Sequence, residues 1–182
     1  MSRSTLILCS FGAALVVLPQ HAEAQRPQTR EGFFIGVGIG GGSLGCATCL
    51  EREGSFTGQV TFGGTLSPQL LLGVESSGWT KEENDARLTH ANASAVAHFY
   101  PVATGGLFLS GGVGLSTLEV STTSGSVTVS TTETGLGFTA GAGYDVRVRN
   151  NFSITPYGLF GWGDFDAGSA NTFQFGLGVT WH

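Results

Sequence analysis
Cys46 and Cys49, spaced as Cys-x-x-Cys in Cys46-Ala47-Thr48-Cys49, are the pair in this chain best suited to chemistry. A thiol-exchange motif of this spacing needs a helix N-terminus to hold the attacking thiolate, and the glycine-rich run Gly36–Gly45 before it has no helical period. Structural zinc wants four ligands, and no other His or Cys lies nearby in sequence. The reading left is a disulfide formed in an oxidising compartment. It would stiffen a loop tip and add little to global stability.

The remaining candidates offer less. His90 and Ser94 share a face and suggest a base and a nucleophile, but four residues of strand separate them by ~13 Å, too far for a dyad. Gly36-Val37-Gly38-Ile39-Gly40-Gly41 imitates a dinucleotide-binding fingerprint, yet no helix pattern follows it. Asn92-Ala93-Ser94 and Asn151-Phe152-Ser153 match glycosylation acceptors and are read as chance. No catalytic, cofactor or metal site is expected from these residues.

Their positions depend on the elements that carry them. Arg3, the apolar stretch Thr5–Leu18 and Ala22-Glu23-Ala24 have the charged, apolar and small-x-small order of an export signal and predict cleavage before Gln25. Thr5–Leu18 is too short to cross a ~30 Å hydrocarbon core. Residues 1–24 are therefore read as a cleaved signal that takes Cys9 with it, and residues 25–182 as one domain. Only 12% of the residues are charged, 30 are glycine, and the net charge of −5 comes with scattered cations. That leaves no basic stripe for nucleic acid.

From Phe33 to Trp181 apolar residues alternate with small or polar ones in about eight runs, which is the two-residue period of strands. Phe33, Ile35, Val37 and Ile39 oppose Phe34 and three glycines. Phe56, Val60, Phe62 and Leu66 oppose Thr57, Gln59, Thr61 and Thr65. Further runs follow at 70–79, 90–100, 107–116, 136–148 and 152–162, the last interrupted by Pro156, and Phe173, Phe175, Leu177, Val179 and Trp181 close the series. Short turns near 67, 103 and 150 alternate with longer polar loops near 46, 83, 124 and 168. Alternation facing lipid in an exported chain predicts a closed outer-membrane barrel with its tight turns in the periplasm. Phe33, Phe99, Phe152 and Trp181 would form one aromatic girdle, and Phe56, Trp162 and Phe173 the other.

With its export signal, eight alternating segments, glycine-rich inner face and aromatic-rich last strand, the chain resembles the small eight-stranded outer-membrane barrels, the OmpA transmembrane domain and OmpX-like proteins. The resemblance implies an all-β, eight-stranded antiparallel up-and-down transmembrane barrel in the bacterial outer membrane. It also implies that Phe173, Phe175, Leu177, Val179 and Trp181 serve as the signal read by the barrel-insertion machinery. His182 after Trp181 departs from the aromatic on which that signal usually ends. A soluble barrel would point the bulky face inward, but bulky residues on one face and glycines on the other suit a narrow polar lumen better.

Alternation turns Glu75, His90, His98, Asp145 and Arg147 into that lumen. They are expected to plug it with ion pairs and hydrogen bonds, since charges in a low-dielectric interior persist when paired; a narrow ion path along them is the alternative. Some eight-stranded barrels modify lipid A, and a deacylase would need Ser, His and an acid together at the lipid surface, which the inward direction of His90 and Ser94 opposes. The outer segment Thr117–Thr134 keeps alternating through Leu118, Val120, Val127 and Val129 about a turn near Ser124-Gly125. It predicts a hairpin taller than the membrane requires, either capturing a partner on its exposed strand edges or acting as an inert shield. OmpX-like proteins resemble this, with a protruding sheet associated with adhesion. The expected partners are outer-membrane lipid, the insertion machinery and an extracellular ligand taken by the outer loops; the number of barrels per assembly stays open.

Overall fold
A computed structural model describes residues 30–182 except 48, 50, 125, 126 and 167. The expected export signal at 1–24, residues 25–29 and Gly125 of the expected hairpin turn lie outside the described residues. The strands are β1 (Phe33–Cys46), β2 (Glu53–Ser67), β3 (Leu70–Glu83), β4 (Ala86–Phe99), β5 (Leu107–Ser124), β6 (Val127–Tyr144), β7 (Val146–Arg149), β8 (Phe152–Phe165) and β9 (Gly168–Trp181). Each pairs antiparallel with its neighbours, β1 also pairs with β9, and β6 pairs with β8, so the sheet closes. β6 and β7 run along β8 in one register, from Gly143 opposite Tyr157 to Val146 opposite Ile154. They are a single stave, and the barrel has eight.

Pro156 marks the break between β6 and β7. Continuing the register places it opposite Tyr144, and a proline has no N–H to give the ladder. On its other side β8 continues through Pro156, which stands opposite Leu177. Asp145 meanwhile keeps its backbone bond toward β5, its N–H donating to Gly106 O at 2.9 Å.

Side chains follow the alternation. Phe33, Ile35, Val37, Ile39, Phe62, Val113, Leu136 and Phe175 are among the large apolar residues left exposed on the outer face, forming a belt that needs lipid to cover it. The inner face is packed closely enough that glycine is required in places. A Cβ built on Gly38 would lie 2.5 Å from Tyr157 Cε1, and one on Gly176 would lie 2.6 Å from the Tyr157 hydroxyl. The ring of Tyr157 thus lies across two strands that have no side chain beneath it.

The rim at Phe33 and Trp181 is called lower and the opposite rim upper. At the upper rim the expected irregular loops are largely hairpins. Lys81, Glu82 and Glu83, expected in a solvated loop, belong to β3. Asn84 and Asp85 make the two-residue turn, both with positive φ, 49° and 65°, which is the backbone that turns between twisted strands favour and that Asn and Asp tolerate. β5 and β6 are 18 residues each against 14 for β3 and β4. Beyond the apolar belt, Thr117–Ser124 and Val127–Thr134 rise by about 20 Å, allowing for strand tilt.

Candidate functional site
The lumen is closed at its lower end by a cluster built around Asp145. Tyr100 Oη donates to Asp145 Oδ2 at 2.9 Å and Thr155 Oγ1 to Oδ1 at 2.7 Å, while His182 Nε2 lies 3.2 Å from Oδ2. Arg30, just before β1, reaches across the mouth. It donates to Ala103 O at 3.0 Å and Gly105 O at 2.6 Å, lies over the Tyr100 ring at 3.4 Å, and brings its guanidinium to 3.9 Å from Asp145. Above them His98 stacks on Phe108, with ring centroids 5.1 Å apart, and Phe34 and Leu71 complete a buried apolar layer. An interior cavity of about 30 Å³ adjoins this layer, enough for a water and little more.

Mid-lumen, Thr61 Oγ1 donates to Glu75 Oε2 at 3.3 Å. Toward the upper end Ser116 Oγ and His90 Nε2 lie 3.0 Å apart, both fully buried. A second apolar layer of Leu44, Trp79, Phe165 and Ala170 covers them, with Cys46, Leu88 and Leu118 packed against it. Trp79 Nε1 donates to Gly42 O at 3.3 Å.

Glu75, His90, His98 and Asp145 thus face the lumen at separate levels, and they do not form one continuous chain. Arg147 sits half-exposed at the lower rim, donating to Asn150 O at 2.9 Å. The partners that sequence reasoning missed are Arg30, Tyr100, Thr155, His182 and Ser116. Parity along the strands places Tyr100, Thr155 and Ser116 inside, and the same parity turns His182 inward, a direction that its place after the last aromatic of the insertion signal hides. Cross-strand register, which brings Ser116 beside His90, and the path of Arg30 outside any strand had no local signal.

Cys46 and Cys49 are joined by a disulfide, their Cα atoms 5.0 Å apart. Phe173, Phe175, Leu177, Val179 and Trp181 all point outward from β9 and are exposed. Of the four apolar residues of the tall hairpin, Leu118 packs into the upper layer, while Val120, Val127 and Val129 are 48%, 61% and 65% exposed. Only one of the hairpin's two edges is open. β4 pairs with β5 as far as Ala86 opposite Thr122, but the pairing of β6 with β8 stops at Leu136 opposite Asp164, leaving Val127–Thr134 without a paired strand on that side among the described residues. The upper rim is acidic, with Glu51, Glu82, Asp85, Glu119, Asp164 and Asp166 among its carboxylates. Its cations are engaged: Lys81 with Glu53 and Glu83, Arg87 with Glu82, and Arg52 with Ser43 and Asn171. Hydrogen bonds from Lys81 to Glu53 and then Glu83 hold its ammonium above the ordinary lysine range.

A closed eight-stave barrel with an apolar outer belt and a filled lumen is a small outer-membrane β-barrel. The profile of the autotransporter beta-domain family matches residues 57–180, from β2 into β9, and the chain belongs to that family. The likeness to OmpA-type and OmpX-like barrels therefore holds for the fold, while the family profile that matches is not that of OmpA. Among solved structures, Neisserial surface protein A is 18% identical, with a TM-score of 0.60 over 85% of this chain and 99% of that one. Ail, the attachment invasion locus protein of Yersinia pestis, is 14% identical, with a TM-score of 0.61 over 84% and 100%. Ail in complex with the heparin analogue sucrose octasulfate superposes with a TM-score of 0.59 at 14% identity, over 84% and 100%. At these identities the likeness is one of fold. No curated protein matches the chain.

Proposed function
We propose that the protein resides in the bacterial outer membrane with its lower rim in the periplasm, and that it works as a surface-interaction barrel through the β5–β6 hairpin. The observation that carries this reading is the hairpin itself, which stands well beyond the apolar belt with one unpaired edge. The name of Ail, an attachment protein with the same fold, supports it. A sulfated polyanion, as in the Ail complex, suits this chain poorly, because the upper rim is acidic and its cations are already paired.

Transport and catalysis are less well supported. Two buried layers, around Phe108 and around Trp79, stand across the lumen, and an ion path would have to pass both. Ser116 and His90 have the spacing of a nucleophile and its base, but both are fully buried on the lumen side, away from lipid. His90 Nδ1 has no hydrogen-bond partner among the described residues, so no acid orients the ring. The pair reads as a structural hydrogen bond. The test is attachment of expressing cells to host or abiotic surfaces after Val120–Thr131 is replaced by a two-residue turn. The variant must retain the heat-dependent gel shift of a folded barrel. Loss of attachment supports the surface role, and unchanged attachment overturns it.

A further inference from the structure
The open edge of β6 stands beside a cavity. Where β6 parts from β8, the upper mouth of the barrel holds a space of about 170 Å³ lined by Cys46, Leu118, Glu133, Phe165 and Ala170 among others. A cavity of roughly 150 Å³ suffices for a benzene-sized group, so this one takes a single side chain. Its walls are mostly apolar, and Glu133 is the charged group among them. Glu133 is half-buried on the edge strand, and its Oε2 is shielded from solvent with no hydrogen-bond partner among the described residues. A carboxylate oxygen with no donor from the protein is free to accept a charge-assisted hydrogen bond, and a cationic side chain entering the cavity is suited to give it.

We infer that the edge Val127–Thr134 and the cavity beside it bind an extended cationic peptide segment, added as a strand to β6 with one lysine or arginine side chain seated on Glu133. The inference rests on the surface-interaction reading and names its partner. Three features agree on this occupant. Alternate residues along Val127–Thr134 turn their N–H and C=O groups away from β5, a template that only an extended backbone satisfies. Side chains of an added strand alternate as those of β6 do, so every second one projects to the lumen side, where Glu133 and the cavity lie. The carboxylates of Glu119, opposite Thr132, and Asp164, opposite Leu136, are exposed beside this edge, while the rim's cations are held by their own partners. A second copy of the chain would bring the same acidic surface to the edge, and the two would repel.

The inference is tested on the full-length barrel refolded in detergent micelles, with fluorescein-labelled nine-residue peptides followed by polarisation. A peptide alternating lysine and threonine is expected to bind. Its glutamate counterpart, and the same lysine peptide N-methylated on alternate amides, are expected not to bind. Glu133→Gln is expected to raise Kd at least about tenfold, since a charge-assisted hydrogen bond is lost. Glu119→Gln, which removes the same charge from the opposite face of the hairpin, is expected to change Kd less than about threefold at 0.15 M salt. Equal losses in the two variants, or equal binding of the N-methylated peptide, would reduce the effect to general charge attraction and overturn the inference. Both variants must keep the heat-dependent gel shift. If cell attachment requires the hairpin but the lysine peptide does not bind, this inference fails and the surface role stands. If the peptide binds but attachment ignores the hairpin, the edge site stands and the surface role fails.

Discussion
Asp145→Asn removes one charge from the centre of the lower plug while keeping its shape. Asn keeps a single oxygen, so Tyr100, which donates to Oδ2, and Thr155, which donates to Oδ1, no longer both have an acceptor there, and Arg30 loses its carboxylate partner while its side chain is 0% exposed. Breaking a buried ion pair by removing one member costs about 3–5 kcal/mol. Arg30 still donates to Ala103 O and Gly105 O and lies over Tyr100, and the pair is long at 3.9 Å. The lower end of that range is therefore expected, ~3 kcal/mol, or roughly two orders of magnitude in the folding equilibrium. Urea titration of the barrel in vesicles, followed by tryptophan fluorescence and by the gel shift, reads this directly. The reasoning is refuted if Asp145→Asn unfolds within ~1 kcal/mol of wild type, the size of an ordinary neutral hydrogen bond. The lower rim would then be held by its aromatic layer alone.

Other perturbations separate the remaining parts. Gly38→Ala sets a methyl group 2.5 Å from Tyr157 Cε1, with Gly176 hemming the ring from the next strand, and is expected to cost ~1–3 kcal/mol by overpacking, read from the same urea midpoint. Cys46 and Cys49 should resist alkylation until a reductant is added, as mass spectrometry would show. Replacing both with serine should lower stability by less than ~2 kcal/mol, the chain-entropy value for so short a loop. Ser116→Ala should leave lipid A mass unchanged in overexpressing cells and cost ~1 kcal/mol for its hydrogen bond to His90. A lipid A species that appears with wild type and vanishes with this variant would revive catalysis.

Much of the barrel was legible because the two-residue period writes burial directly into the sequence. Phe173 to Trp181 on β9 and Ala91 to Phe99 on β4 show their outward face residue by residue, and the inward direction of Glu75, His90, His98 and Asp145 follows from the same count. Contacts that depend on register between distant strands were not legible. His90 meets Ser116 from the adjacent strand, and Asp145 gathers Tyr100 and Thr155 from two others, none of which sits at a telling spacing along the chain. The upper hairpins were underestimated for a local reason. The charges of Lys81, Glu82 and Glu83 look like a loop, yet above the lipid a strand is free to be polar on both faces, and Asn84–Asp85 supplies the tight turn that keeps it paired. Edge exposure was half-legible: the hairpin's length followed from its alternation, but that β4 covers β5 while nothing described covers the upper part of β6 depends on where each pairing ends.

The central claim is that the hairpin does the work while the filled lumen only holds it up. The most direct measurement compares surface attachment of cells displaying equal amounts of folded wild type, the shortened-hairpin variant and Asp145→Asn. Attachment is expected to vanish with the hairpin and to persist, per folded molecule, in Asp145→Asn. Attachment that survives loss of the hairpin, or that fails in a folded Asp145→Asn barrel, would contradict that claim.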